Sequence, residues 1–241
     1  MNKMNIPQET HNICSSVENS TLYDKPFHHL YINNFFSDEF YINLLKYLPS
    51  RDQYIQINKT NTVSKNYSDE RYILNITPDT FQFFYTEQKS FFGQVVTSLM
   101  SLEFFNMIIK KFNNKINKVN PQDLDLRLSL VKDLTKYNLG AHTDTNKKFM
   151  TFLFYLPKDE THKHIGTSMY KLKDNAQIDF LQDKHYSAKE TKELFEEVKL
   201  AEFLPNSVLI FPRTNSSFHG VSSINTGSYE RNLLLLNYYY K

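Results

Sequence analysis

Apolar residues fall at strand period over "LDLRLSLV", where Leu124, Leu126, Leu128 and Leu130 alternate with more polar neighbours. From there to the C-terminus most signals are strand: Phe149 to Leu156, Thr167 to Leu172, Ser207 to Phe211 and Arg231 to Tyr240. Helical spacing dominates the earlier half. After a first strand within "PFHHLYINNFF", Ser37 caps a helix carrying Phe40, Leu44, Leu45 and Leu48, which stops at Pro49. Thr86 to Phe112 predicts one or two amphipathic helices, with breaks at Gly93 or near Ser101. One helix returns late, opened by Ser187 with Glu190 three residues on, a capping-box pattern. Residues 1–22 read as a flexible polar arm, and residues 50–80 as mostly irregular. Helices first and strands afterwards predict an α+β chain with a β-sandwich or barrel core. Residues 23–241 then form one domain, with helical support over 23–120, the core over 121–241 and an excursion over 171–200.

Composition narrows the class. A hydrophobic content of 40%, with 20 Phe and 16 Tyr, is enough to fill a substantial core. The net charge of +2 announces neither a nucleic-acid nor a membrane partner. The single Cys14 excludes an internal disulfide and any multi-cysteine metal site, which suits a reducing compartment. No basic-then-apolar leader pattern opens the chain, and no apolar run approaches a membrane span. The expectation is a cytoplasmic protein.

The chemistry concentrates around "GAHTDTNKKFMTFLFYLP". In a strand, residues i and i+2 share a face, so His142 and Asp144 present nitrogen and oxygen side by side, roughly 6.5 Å apart at Cα. Two ligands hold a metal weakly. His219, in "SFHGV" after the apolar strand "NSVLIFP", supplies a third. Two imidazoles and one carboxylate on one face of a metal leave the remaining positions open, which suits Fe(II) with O2 and a chelating organic cosubstrate. 2-Oxoglutarate is the usual one, and its distal carboxylate needs a buried cation, best a guanidinium. Arg231 opens "RNLLLLNYYY", a strand otherwise almost free of charge, where an unpaired arginine is costly.

This order of His-x-Asp, distant His and arginine on a terminal strand resembles the Fe(II)/2-oxoglutarate-dependent oxygenase superfamily, in its prolyl-hydroxylase-like branch. "YNLGAHTDTNKKFMTFLFYL", "PNSVLIFP", "SFHGV" and "RNLLLLNYY" carry the likeness, over residues about 124 to 241. The resemblance implies a double-stranded β-helix (jelly roll) with the N-terminal helices packed against one sheet. It implies His142, Asp144 and His219 as iron ligands, Arg231 as the 2-oxoglutarate clamp, and Tyr137 as a hydrogen-bonding partner of that cosubstrate. Ascorbate is a candidate reductant. Related halogenases carry a small residue in place of the carboxylate, so Asp144 favours hydroxylation. Many relatives have a Gly-Gly-acidic stretch where this chain reads "IGTSMYKL", which points to a different substrate wall.

Other candidates have milder explanations. His162 and His164 in "DETHKHIG" mimic a cupin-type pair, but no glutamate follows at the required spacing and charged neighbours mark a solvated loop. His28 and His29 read as structural, and His185 as a surface residue. Arg127 reads as a core ion-pair member, Lys147 and Lys148 as solvent-facing with one of them a candidate to lean over the site mouth, and Arg213 as a candidate for substrate contact. Lys171 to Leu200 is long enough to form a lid or a substrate wall. No clustered basic groove with stacking aromatics suggests a nucleic acid. The expected substrate is a small molecule such as an amino acid, hydroxylated at an unactivated C–H bond. A peptidyl hydroxylase and a non-catalytic jelly-roll scaffold are the alternatives.

Overall fold

The computed structural model describes residues 7–60, 63, 67–178 and 184–241. Among these, the strands form two antiparallel sheets. The larger runs, in spatial order, β1 (Leu22–Tyr23), β2 (His29–Asn33), β10 (Ser207–Pro212), β7 (Lys148–Tyr155), β12 (Arg231–Tyr240), β5 (Leu124–Asp133), β4 (Arg71–Asn75) and β3 (Ile55–Gln56). The smaller runs β6 (Leu139–His142), β11 (His219–Val221), β8 (Thr167–Leu172) and β9 (Phe195–Ala201).

Alternation along the strands gives the large sheet two different faces. Leu234, Leu236 and Tyr238 of β12, with Phe152 and Phe154 of β7, point to the side covered by helices. These are α1 (Gln8–Asn19), α2 (Asp38–Lys46), α4 (Thr86–Leu99) and α5 (Leu102–Phe112); the single turn α3 (Pro78–Phe81) precedes α4. Ring contacts fix the layer: Phe104 of α5 meets Phe152 at 5.9 Å, and Phe105 meets Tyr238 at 5.8 Å. Burying each such phenylalanine stabilises by roughly 1.5–3 kcal/mol. The helix caps follow the sequence, since Ser37 and Ser101 each accept from the backbone N–H three residues on. The break therefore falls at Ser101, and Gly93 lies inside α4. No described helix is by itself long and apolar enough to cross a membrane.

Three elements differ from the sequence reading. The expected N-terminal arm is a helix over Gln8–Asn19. Its stripe is narrow (Ile13, Cys14 and Val17), but Ile13 and Val17 are fully buried. Glu9 pins it further, accepting from Ser37 N at 3.0 Å and Ser37 Oγ at 2.6 Å. Within the expected irregular segment, β4 pairs with β5, an addition hidden by polar residues at both its ends. In the excursion, the capping box at Ser187 forms, but the helix α6 (Ala188–Leu194) is short. Phe195 leaves it to begin β9, because the free edge of β8 offers a full hydrogen-bond ladder. Tyr186, Phe195, Tyr170 and Phe218 pack together on the outer face of the small sheet. Part of the excursion thus joins the small sheet as β9, and residues 179–183 of it lie outside the described residues.

Candidate metal centre

The small sheet places two histidines opposite each other: His142 at the end of β6 is the cross-strand partner of His219 in β11. Their rings lie 4.3 Å apart between centroids. Asp144 sits just beyond the end of β6, and one donor atom from each of His142, Asp144 and His219 lies within 4.8 Å of the others. All three are buried.

The donor set has the right protonation pattern for a cation. His142 Nδ1 lies 3.0 Å from Gly140 O, and His219 Nδ1 lies 3.0 Å from Ser217 O. Each Nδ1–H is therefore committed to a carbonyl, which leaves Nε2 with a free lone pair. Burial pushes the His142 imidazolium well below its ordinary pKa, helped by His219 and His185, and burial lowers that of His219 as well. Both rings are neutral at physiological pH. Burial opposes ionisation of Asp144, but the Lys148 ammonium beside it, which also donates a hydrogen bond, outweighs burial and holds the carboxyl well below its usual range. Two neutral imidazoles and a carboxylate form a set that fits a divalent metal and leaves open positions.

The large sheet reaches in to steady the carboxylate. Thr151 Oγ1 of β7 donates to Asp144 Oδ2 at 2.7 Å, and Lys148 Nζ donates to Oδ1 at 2.7 Å. Arg213 Nε donates to the Asp144 carbonyl at 3.1 Å. Arg213 therefore braces the backbone of a ligand and does not line the cavity, contrary to the substrate-contact expectation. Lys148 is likewise buried against the centre and not solvent-facing, with a side chain only 11% exposed.

A cavity of about 630 Å³ runs between the two sheets from these ligands, within the roughly 300–1,000 Å³ usual for small-molecule sites. At one end lies a row of charge set by strand register. Arg71 of β4, Asp133 of β5 and Arg231 of β12 are direct neighbours across three adjacent strands. Arg231 is 1% exposed; its Nη1 donates to Asp133 Oδ2 at 2.7 Å and its Nε to Ile165 O at 2.6 Å. Arg71 approaches the same carboxylate with two donors, Nε to Oδ1 at 2.6 Å and Nη2 to Oδ2 at 2.8 Å. Arg231 Nη2 also reaches Thr167 Oγ1 at 3.3 Å. Thr167 is two residues, about 6–7 Å at Cα, from Met169, the cross-strand partner of His219. The next positions along the sheet, Ile73 and Leu233, are apolar cavity lining.

Tyr137 is buried but lies behind the cavity lining. Its ring carries the Arg71 guanidinium at 4.3 Å, and its hydroxyl shares a hydrogen bond with that of Tyr67, 3.1 Å away. In this position it supports the Arg71 guanidinium. Arg127 is an exposed pair with Asp125 at the mouth and not a core member. His185 is exposed, as expected, yet its ring packs tilted against that of His142, 4.5 Å between centroids, and it is the described residue of the 171–200 excursion that lines the cavity. His162 and His164 stay in their loop, His162 against Tyr229. Arg71, Asp133, Thr151 and Lys148 were missed. Only the alternation that puts Asp133 on the face of Arg127 and Ser129 gives a sequence signal for any of them.

No protein-family model and no curated protein matches the chain in sequence. Solved structures match it in fold, and the fold is that of the 2-oxoglutarate/Fe(II) oxygenases, including prolyl hydroxylases. A Pseudomonas putida prolyl-4-hydroxylase superposes with a TM-score of 0.53 at 10% identity, over 98% of this chain and 100% of that one. The non-heme α-ketoglutarate-dependent epimerase SnoN from nogalamycin biosynthesis superposes with a TM-score of 0.51 at 7% identity, covering 95% and 80% of the two chains. SnoN in complex with Fe3+, α-ketoglutarate and nogalamycin RO gives 0.50 at 8% identity, covering 95% and 83%.

Proposed function

We propose that the two facing sheets form a double-stranded β-helix and that the protein is an Fe(II)- and 2-oxoglutarate-dependent dioxygenase, hydroxylating an unactivated C–H bond of a small molecule such as an amino acid. The observation that carries this reading is the convergence of His142, Asp144 and His219 with both Nδ1 atoms tied to backbone carbonyls. Bound Fe(II), with 2-oxoglutarate and O2, supplies the oxidising power for attack on a C–H bond.

The chain's own residues bind, orient and dehydrate. His142 and His219 offer Nε2, while Thr151 and Lys148 orient the Asp144 carboxylate from the opposite sheet. Arg231 receives the distal carboxylate of the cosubstrate. Ile73 and Leu233, apolar cavity lining one step along the same strands, would shield its methylene carbons from water. The mouth, lined by Arg127, Asn237 and Tyr239, faces the substrate. Containment of the site in a single cavity of about 630 Å³ favours a small molecule over a polypeptide.

Anaerobic addition of Fe(II) and 2-oxoglutarate should produce a weak visible charge-transfer band. Candidate amino acids, peptides, sugars and nucleotides are then screened for stimulation of succinate release. Absence of the band would leave a non-catalytic scaffold, and stimulation by peptides alone would shift the substrate class.

A further inference from the structure

The charged row at the end of the cavity carries more than one clamp needs. Asp133 lies 2.7 Å from Arg231 and is itself fully buried. That pair is electrically neutral by itself. A carboxylate entering beside it would bring an uncompensated negative charge into a dehydrated site, which is costly. Arg71 changes the sum: two guanidinium groups around one carboxylate leave one positive charge, and a second carboxylate balances it. Arg71 stands on β4, a strand contributed by the N-terminal half of the chain. Its side chain is 11% exposed, lines the same cavity as Arg231, and has its guanidinium carbon 4.3 Å from the centre of the Tyr137 ring.

We infer that Arg71 is a second cosubstrate-binding residue, so that the distal carboxylate of 2-oxoglutarate is held between Arg71 and Arg231 with Asp133 as their shared counter-ion. The inference rests on the oxygenase reading above. Arg231 supplies position, locked by Ile165 O and Thr167, while Arg71 supplies the surplus charge. Asp133 opposes cosubstrate binding in this arrangement. It keeps the two arginines from repelling each other in the free protein, and it lowers the affinity of the row for any further anion.

The test titrates anaerobic Fe(II)-protein with 2-oxoglutarate and reads the visible band, with Ni(II) affinity in the absence of cosubstrate as a check on the ligand set. Arg71→Met is expected to raise the 2-oxoglutarate Kd at least tenfold and leave the Ni(II) Kd unchanged. Asp133→Asn should tighten 2-oxoglutarate binding, and the double variant should recover most of what Arg71→Met loses. 2-Oxopentanoate, the five-carbon ketoacid without the distal carboxylate, should be disfavoured by the parent protein and much less so by Arg71→Met. Wild-type 2-oxoglutarate affinity in Arg71→Met overturns the inference, as does weaker binding in Asp133→Asn. If Arg71→Met fails to fold, Asp133→Asn and Arg71→Lys, the latter expected to keep most of the affinity, decide the matter. Loss of the band in the parent protein would instead sink the oxygenase reading.

Discussion

Lys148 Nζ and Asp144 Oδ1 form a buried ion pair, 2.7 Å long, at one member of the candidate metal-ligand set. The carboxylate that a metal needs is thus already neutralised by the chain. Removing one partner of a buried pair commonly costs about 3–5 kcal/mol, because the other charge is left uncompensated. Lys148→Met should therefore lower the Tm of the metal-free protein. The same change removes a positive charge beside an incoming divalent cation, so Ni(II) should bind more tightly. A larger metal-induced rise in Tm for the variant than for the parent is the expected result; an equal rise would mean that Lys148 does not compete with the metal.

Gly140 marks a close approach. A Cβ there would sit 1.7 Å from Tyr186 O and 2.9 Å from Thr191 Oγ1. Tyr186 N donates to Ala141 O and Ala141 N donates to Thr191 Oγ1, so the excursion is bonded to β6 at this point. Gly140→Ala should push that segment away and carry His185 off the ring of His142. Faster hydrogen exchange at the Tyr186 amide is the readout, and unchanged exchange would rule the contact out.

The N-terminal helix is expected to be part of the folding unit. Ile13 is fully buried among the helices that cover the large sheet. Ile13→Ala should cost about 2–5 kcal/mol in urea unfolding. A free arm would lose nothing.

Alkaline pH should expose a second property of that helix. Burial pushes the Cys14 thiol up from 9.0 to about 11, with Glu103 and Glu18 adding to the effect. The protonated thiol is favoured in the folded state, so its contribution is complete below about pH 9 and is lost as the pH rises towards 11. The Tm of the parent protein should fall more steeply across that window than the Tm of Cys14→Ala. Parallel curves would show that Cys14 ionises equally well folded and unfolded.

The elements that the sequence made legible share one cause. Leu124 to Asp133 and Arg231 to Tyr240 lie between a helical core and a cavity; the first shows as alternation over Leu124, Leu126, Leu128 and Leu130, and the second as an almost uncharged apolar run. The candidate ligands were legible because His142, Asp144 and His219 combine rare residue types with apolar strands beside them. What escaped depends on partners remote in sequence. β4 is too short and too polar at its ends to signal itself, yet strand register makes Arg71 a neighbour of Asp133. Lys148 looks like an ordinary polar residue until the chain folds back on Asp144. The segment from Phe195 to Ala201 is helical by local pattern and becomes strand only because β8 offers it an edge.

The alternation along β12 has a consequence for how such a protein diversifies. Leu234, Leu236 and Tyr238 face the helices, whereas Arg231, Leu233, Asn237 and Tyr239 line the cavity. Ten consecutive codons therefore encode two interleaved texts, one for folding and one for ligand choice. Point substitutions can rewrite the second without disturbing the first. A single-residue insertion or deletion within the strand would scramble both, so drift towards new substrates along this strand should proceed by replacement and not by changes in length.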